Sequence, residues 1–319
     1  MEDNSLRTAL LAAIAPAAWG TTYIVTSHLL PPDRPLFAAA MRALPAGLIL
    51  LALTRRLPRG RWWGRAALLG LLNFGAFFPL LFLAAYELPG GVAATVQASS
   101  PLVVMALAWM LLGEQPGLLR ITAGLVGVGG VALLVLQSAC GDAGPLGFAA
   151  AAGSVVSSAL GFVLVRRWPA PVSTLTLVSW QLVVGGLILA PLALLAEGLP
   201  PSMDLPAVGG LLWIGGVGTV VAYVCWFRGL ARLPAGTVSL IGLVGPVVAT
   251  GLGIVIAGEP AGPGRLAAMG LILAGVLLGQ PAVAQLVRRR LTRPRNDVGS
   301  RLLAEVPAAQ QADPVARAA

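Results

Sequence analysis

Two stretches of the chain carry the same pattern, and this repetition decides the fold. Residues 88–114 read LPGGVAATVQASSPLVVMALAWMLLGE, and residues 233–259 read LPAGTVSLIGLVGPVVATGLGIVIAGE, 145 positions later. Both begin with Leu-Pro, hold a proline at the same place (Pro101 and Pro246) and end with Gly-Glu. Nearer the start of each copy, residues 47–50 and 186–189 both read GLIL, at an offset of 139. Matches at two offsets indicate a duplicated unit with small changes in loop length.

The composition is that of an integral membrane protein. Of the 319 residues, 57% are hydrophobic and 10% are charged, and the mean hydropathy is +0.87. A soluble domain usually has about a quarter charged residues. Because so few charges do not cover a water-facing surface, lipid must be the solvent for most of the exterior.

Ten apolar segments are long enough to cross a bilayer, which takes roughly 20 helical residues. Five segments in each copy is an odd number, so the two copies face opposite ways across the membrane. The predicted fold is therefore all-α, with a first five-helix unit at residues 1–140 and a second, inverted unit at 141–286. The ten predicted segments are 8–30, 36–54, 66–86, 90–112, 118–138, 145–165, 173–196, 207–227, 235–257 and 264–286.

The 21 basic residues are all arginine, and their positions predict the orientation. With the N-terminus inside, sixteen arginines fall in inner segments, against two outside, Arg34 and Arg265. This bias predicts a multi-pass protein of the inner (plasma) membrane with both termini in the cytoplasm. Residues 287–319 lose the apolar pattern and are predicted to form an arginine-rich, disordered cytoplasmic tail. Since the arginines lie in short runs between apolar segments, the net charge of +9 does not indicate nucleic-acid binding.

Side chains suited to catalysis or metal binding are scarce. The chain has two cysteines, Cys140 and Cys225, and one histidine, His28, without metal-ligand spacing. A membrane-embedded lipid-modifying enzyme, the remote alternative, would need clustered acids, a histidine motif or a metal set. A Walker-type phosphate loop needs a lysine, which the chain lacks. We therefore expect no enzymatic activity, no cofactor and no metal.

Inverted repeats are a recurrent architecture of secondary transporters, in which two similar halves move about a site at the midplane. A channel for small solutes is the main alternative, and a duplicated structural bundle is another. Channels often use charged or carbonyl-lined filters built by oligomers. The pseudo-symmetric single chain therefore favours a carrier.

Over residues 8–286 the chain resembles the drug/metabolite transporter superfamily, in its EamA-type ten-helix branch. This resemblance implies ten helices around a central cavity, alternating access, and export of amino acids or related metabolites. It also implies a small-molecule substrate and membrane lipid as partners of a monomer or homodimer. Aromatic amino acid exporters are one subgroup, and no motif here selects them. The matching features are Trp19-Gly20, Arg42, Ala84-Ala85-Tyr86 and Pro89…Ala93…Pro101…Gly113-Glu114, with the echo Pro234…Pro246…Gly258-Glu259.

Polar and aromatic side chains in several apolar segments are candidates for substrate binding. Trp19 and Tyr23 share a face of the first segment, where the alternative is helix packing or an interfacial position. Arg42 lies about 10 Å along the second segment and could bind a substrate carboxylate in bidentate fashion. The alternatives for Arg42 are a side chain extended to the headgroups and a helix cap. In the second copy Arg42 corresponds to Gln181, so we expect an asymmetric cavity.

The fourth segment places Gln97 and Ser100 on one face beside Pro101. Proline removes a backbone donor, so Pro101 and Pro246 are predicted to break their helices at the site, although such breaks also occur in structural helices. The remaining predicted substrate contacts are aromatic or amide side chains, and interface belts and helix packing are their alternatives. These contacts are Asn73, Phe78, Trp180, Gln181 and Tyr223.

Overall fold

The computed structural model describes residues 2–31, 34–87, 96–136, 144–200, 202–256, 261–280 and 283, and every regular element in them is helical. They form ten helical rods, α1 to α10, each with one to three parts. The bounds are α1 Glu2–Leu29, α2 Pro35–Thr54, α3 Trp62–Gly70 continued by Leu71–Gly75 and Phe77–Glu87, α4 Ser100–Leu112, α5 Leu118–Leu136, α6 Pro145–Arg167, α7 Thr174–Ala196, α8 Leu205–Gly215 continued by Gly216–Val221 and Ala222–Arg232, α9 Ala235–Ile241 and Val244–Val255, and α10 Pro263–Leu278.

The predicted all-helical membrane fold is confirmed. Within the described residues, six helical segments are long and apolar enough to cross a bilayer, and three shorter apolar helices correspond to α4, α5 and α10. The ten rods lie where the ten segments were predicted, with ends that differ by a few residues. Several parts of the sequence analysis lie outside the described residues, among them Pro89 and the start of the fourth segment at 90–95, the end of the fifth segment, Gly258-Glu259, the end of the tenth segment and the tail 287–319.

Helix ends follow from proline, glycine and acidic caps. Pro35 begins α2, where its missing N–H costs little. The carboxylate of Glu197, just after α7, accepts the free N–H groups of Leu36 and Phe37 at 2.8 Å each. At the other end of the bundle, α4 ends at Gly113, whose φ of 70° is the left-handed conformation that glycine adopts most easily. We call this other end, where Arg55, Arg61 and Arg167 lie, the arginine-rich end.

The two halves of the bundle are packed into each other. The principal neighbour of each of eight helices belongs to the other half, in the pairs α1–α8, α3–α6, α2–α7 and α5–α10. Glycines permit these close approaches. A Cβ on Gly47 of α2 would lie 2.7 Å from the Val183 backbone nitrogen, and a Cβ on Gly186 of α7 would lie 2.7 Å from Leu44 Cα. Gly47 and Gly186 are the equivalent glycines of the two GLIL segments. The same repeated glycine therefore lies on both sides of the α2–α7 contact.

The two helices that carry the repeated prolines, Pro101 and Pro246, are interrupted just before the proline. Around Pro101, the helix over residues 96–98 is separated by Ser99 from α4, and the Ser99 N–H donates to Val96 O at 3.1 Å, three residues back. In α9, residues 242–243 form the interruption ahead of Pro246. A proline has no N–H for the helical bond four residues back, which weakens the helix at both positions.

Candidate functional site

Two π-helical turns lie at equivalent positions in the two halves. They span Leu71–Gly75 in α3 and Gly216–Val221 in α8, and their first residues are 145 positions apart. In the first turn, the Ala76 N–H donates to Leu71 O at 2.7 Å, five residues back. Each turn lies near the middle of its rod. A π-helical turn disturbs the regular pairing of backbone groups and is frequent at functional sites.

Arg42 of α2 extends its side chain into the π-helical turn of α8. Its Nε donates to Thr219 Oγ1 at 2.8 Å, and its Nη2 donates to Gly218 O at 3.0 Å. Its guanidinium carbon lies 5.1 Å from the centre of the Phe78 ring, a cation–π distance. Arg42 is buried, and in the described parts of the chain no carboxylate lies within ion-pair distance of it. Arg42 is therefore a buried cation whose hydrogen-bond partners are uncharged groups.

Gln181 of α7 repeats this arrangement with an uncharged side chain. Gln181 Oε1 accepts from Asn73 Nδ2 at 2.8 Å, and Asn73 belongs to the π-helical turn of α3. Arg42 lies seven residues after the start of α2, and Gln181 lies seven residues after the start of α7. Each half thus sends one polar side chain into the π-helical turn of the other half, and only one of the two carries a charge.

Aromatic rings connect the two polar pairs. The ring centres of Trp19 and Tyr223 are 5.2 Å apart, and those of Phe74 and Tyr223 are 4.6 Å apart. Trp19 Nε1 donates to Gly218 O at 3.0 Å, so this carbonyl accepts from both Trp19 and Arg42. The predicted residues Trp19, Arg42, Asn73, Phe78, Gln181 and Tyr223 thus lie in one connected cluster, which we call the central cluster.

Gln97 lies beside the interruption that precedes α4. Its Nε2 donates to Ser154 Oγ of α6 at 2.8 Å. Ser100 begins α4 and is half-buried, and Pro101 behind it is buried. The structure therefore brings Gln97 and Ser100 to one helix break, separate from the contacts of the central cluster.

Trp180 lies elsewhere. Its Nε1 donates to Arg56 O at 2.7 Å, and its ring centre is 6.1 Å from that of Trp62. Both partners are at the arginine-rich end, so the Trp180 side chain fixes the segment between α2 and α3. The side chain of Tyr23 lies outside the described residues.

Two residues that contact Arg42 were not singled out from the sequence. Thr219 and Gly218 accept hydrogen bonds from Arg42. They belong to GVGT, the first four residues of the π-helical turn in α8. The equivalent four residues of the turn in α3 are LLNF, which is not a similar sequence. Trp226 lies 5.2 Å from Trp19 between ring centres, and its Nε1 is buried without a hydrogen-bond partner in the described residues. The offset of 145 residues between the repeated segments could have predicted that the two turns occupy equivalent positions. Nothing in their amino-acid composition predicts a π-helix.

A cavity of about 520 Å³ opens at the arginine-rich end. Phe227 is one of its lining residues, and the Phe227 ring lies 5.7 Å from the ring of Tyr223 in the central cluster. Its wall also holds Glu114, after α4, and Arg166, at the end of α6, which form an ion pair. Arg166 Nη1 also donates to the carbonyls of Leu230 and Leu233, at 2.9 and 2.7 Å. This network ties the first half to the second at the mouth of the cavity.

An inverted ten-helix bundle with a buried polar and aromatic cluster at mid-depth is the architecture of a membrane transporter. The EamA-like transporter family matches the chain over residues 6–136 and 145–279, and the chain belongs to this family. The resemblance read from the sequence is thereby confirmed.

Relatives and a solved structure agree with this assignment. Protein PecM of Dickeya dadantii (strain 3937) is 40% identical over 287 residues, which cover 89% of this chain and 95% of that protein. The uncharacterized inner membrane transporter YedA of Escherichia coli (strain K12) is 30% identical over 270 residues, 82% of this chain and 86% of YedA. One crystal structure matches this chain with a TM-score of 0.77 at 22% sequence identity. The match covers 90% of this chain and 99% of the chain in that structure, and it supports the fold alone.

Proposed function

We propose that this transporter exports a small amphipathic metabolite with a carboxylate group, such as an amino acid, by alternating access. The observation that carries the proposal is Arg42, a buried cation for which the described residues supply no carboxylate partner. A charge buried in a membrane protein is expensive and marks a functional site. The carboxylate of a substrate would supply the missing counter-charge through charge-assisted hydrogen bonds.

The surroundings of Arg42 support a substrate that also has an apolar part. Phe78 and Phe74 lie on one side, with ring centres 6.1 Å apart, and Tyr223 and Trp19 complete the aromatic wall. Such rings bind apolar and aromatic groups through their large surfaces. Trp226 Nε1 is a further donor without a partner in the described residues. A carboxylate with an apolar side chain fits this combination better than a fully polar solute.

Alternating access is supported by the repeated contacts between the halves. Arg42 and Gln181 each cross to the π-helical turn of the opposite half, so movement of one half against the other changes both contacts together. The cavity at the arginine-rich end, with Phe227 in its lining, offers a route from the predicted cytoplasmic side to the central cluster. This direction is the one that export requires.

Counterflow in proteoliposomes tests the carrier. Vesicles are loaded with an unlabelled amino acid, and uptake of the labelled compound is followed with time. A carrier gives saturable uptake that is stimulated by substrate on the opposite side. Linear, unsaturable flux with ohmic currents would instead identify a channel and overturn alternating access.

A resistance screen tests the substrate class and the direction. Cells that overproduce the protein are challenged with toxic amino acid analogues and with the corresponding analogues that lack the carboxylate. Export of carboxylated compounds predicts protection against the first set and no protection against the second. Sensitisation to the carboxylated set would indicate import, and equal protection against both sets would remove Arg42 from recognition.

Gln97→Ala is expected to reduce transport about tenfold without loss of folded protein. The substitution removes the hydrogen bond to Ser154 Oγ and one polar group beside the helix break, and one such bond contributes about 1 kcal/mol. Initial uptake rates in proteoliposomes measure the effect. Gln280→Ala is the matched control, because Gln280 donates to Val276 O within its own helical region, whereas Gln97 donates to a different helix. Equal rates in the two variants would remove Gln97 from the site.

A further inference from the structure

A second cavity opens on the outer surface of the bundle, where α2 ends. It has a volume of about 430 Å³, and its lining residues come from the last two turns of α2 and the following segment. The walls are apolar, and two guanidinium-bearing side chains lie at the end toward the aqueous phase. The lining residues are Leu48, Leu51, Ala52, Arg55, Arg56 and Leu57. We call this cavity the α2 crevice.

The crevice exists because the chain turns back at Arg55. Arg55 has a φ of 49° and a ψ of 32°, and its N–H donates to Leu51 O at 2.8 Å. In the described residues it is the only residue other than glycine with a positive φ. Glycine takes this conformation without steric cost, whereas a residue with a Cβ does not. An arginine at this position indicates that its side chain contributes something that glycine would not.

The segment after Arg55 is held in place from within the bundle. Trp180 Nε1 donates to Arg56 O at 2.7 Å, and Pro58 is buried. The backbone that presents the two guanidinium groups is therefore fixed by α7. The crevice is a preformed feature of the surface.

The charge around the crevice is entirely positive. Residues 55–65 include five arginines and no acidic residue. Arg55 and Arg56 are exposed, and in the described portion of the chain neither lies within ion-pair distance of a carboxylate. Leu48 and Ala52, which share a face of α2 and line the crevice, are both exposed. An apolar wall under unpaired cations at a helix end matches the chemistry of a phospholipid with a negative headgroup.

We propose that the α2 crevice binds one anionic phospholipid of the surrounding bilayer. The phosphate lies between Arg55 and Arg56, and an acyl chain lies along Leu48, Leu51 and Ala52. This site is separate from the central cluster, so the proposal does not depend on the identity of the transported substrate.

Native mass spectrometry of the purified protein with phosphatidylglycerol or phosphatidylcholine tests the site. The test variant combines Arg55→Gly, which preserves the left-handed turn, with Arg56→Gln. The matched control combines Arg59→Gln with Arg61→Gln, which removes the same charge from the same segment outside the crevice. We expect retention of phosphatidylglycerol to fall about tenfold or more in the test variant and to change less than twofold in the control.

A second variant separates shape from charge. Ala52→Phe fills the apolar wall and leaves every arginine in place, so it should also lower phosphatidylglycerol retention while thermal stability in detergent stays near that of the wild type. Soluble glycerol phosphate should not displace the lipid, because it has no acyl chain. Equal lipid retention in the test variant and the control, or equal retention of phosphatidylcholine and phosphatidylglycerol by the wild type, would overturn the proposal.

Discussion

Arg42→Gln is expected to lower transport of a carboxylated substrate about a hundredfold while the protein still folds. A hydrogen bond to a charged group contributes about 1.5–3 kcal/mol, and 1.4 kcal/mol corresponds to a factor of ten. Glutamine removes the charge and can still donate to Thr219 or Gly218. The chain itself uses glutamine at the equivalent place, where Gln181 pairs with Asn73. Initial rates over a range of concentrations in proteoliposomes measure kcat/KM.

Two comparisons make the Arg42 result specific. Thr219→Val removes one hydrogen-bond acceptor from Arg42 Nε and keeps the cation, so it should cost about tenfold, less than loss of the charge. For a substrate analogue in which an amide replaces the carboxylate, wild type and Arg42→Gln should transport at similar rates. If Arg42→Gln carried the carboxylated substrate as fast as wild type, Arg42 would have a structural role only.

Gly186→Val is expected to give a large loss of stability. A Cβ at this position would lie 2.7 Å from Leu44 Cα and 2.8 Å from Leu44 N, which are backbone atoms and do not rotate away. Helices α2 and α7 would have to separate, and overpacking of this kind costs about 1–3 kcal/mol or more. Thermal unfolding in detergent should show a melting temperature lower by about 5 °C or more.

Gly270→Val in α10 is the matched control for Gly186→Val. A Cβ on Gly270 would meet no atom within 4 Å, and this residue is exposed on the outer face of the bundle. Its melting temperature should stay within about 2 °C of the wild type. A similar melting temperature for Gly186→Val and Gly270→Val would mean that α2 and α7 are not in close contact in the folded protein.

The sequence predicted the fold well, because the bilayer limits the possible structures. Backbone groups in lipid must be paired within the element that carries them, so an apolar segment of membrane-spanning length forms a helix. The proline positions Pro101 and Pro246 were informative because each lacks the N–H of one helical bond, and both helices are interrupted there. Other prolines, such as Pro45 in α2 and Pro191 in α7, lie inside continuous helices. The repeated glycines Gly47 and Gly186 marked the duplication, and only the tertiary structure shows their role in the α2–α7 contact.

The site was less accessible from the sequence. Polar side chains in apolar segments predicted the site. The structure brings four of them into one cluster: Arg42, Asn73, Gln181 and Tyr223. Trp180 was predicted as a substrate contact on similar grounds, but its Nε1 donates to Arg56 O at the arginine-rich end. In both cases the sequence shows only a polar or aromatic residue in an apolar segment. The direction of the side chain, which the tertiary structure decides, determines whether that residue joins the central cluster.

What the amino-acid order determined by itself is the number of helices, their alternating direction and the duplication, because these depend on local hydropathy and on positions along the chain. What only the tertiary structure decided is which polar groups meet: Arg42 with the π-helical turn of α8, and Gln181 with that of α3. These contacts join residues 177 and 108 positions apart. They depend on how the inverted halves pack, and no periodicity within a single segment encodes that packing.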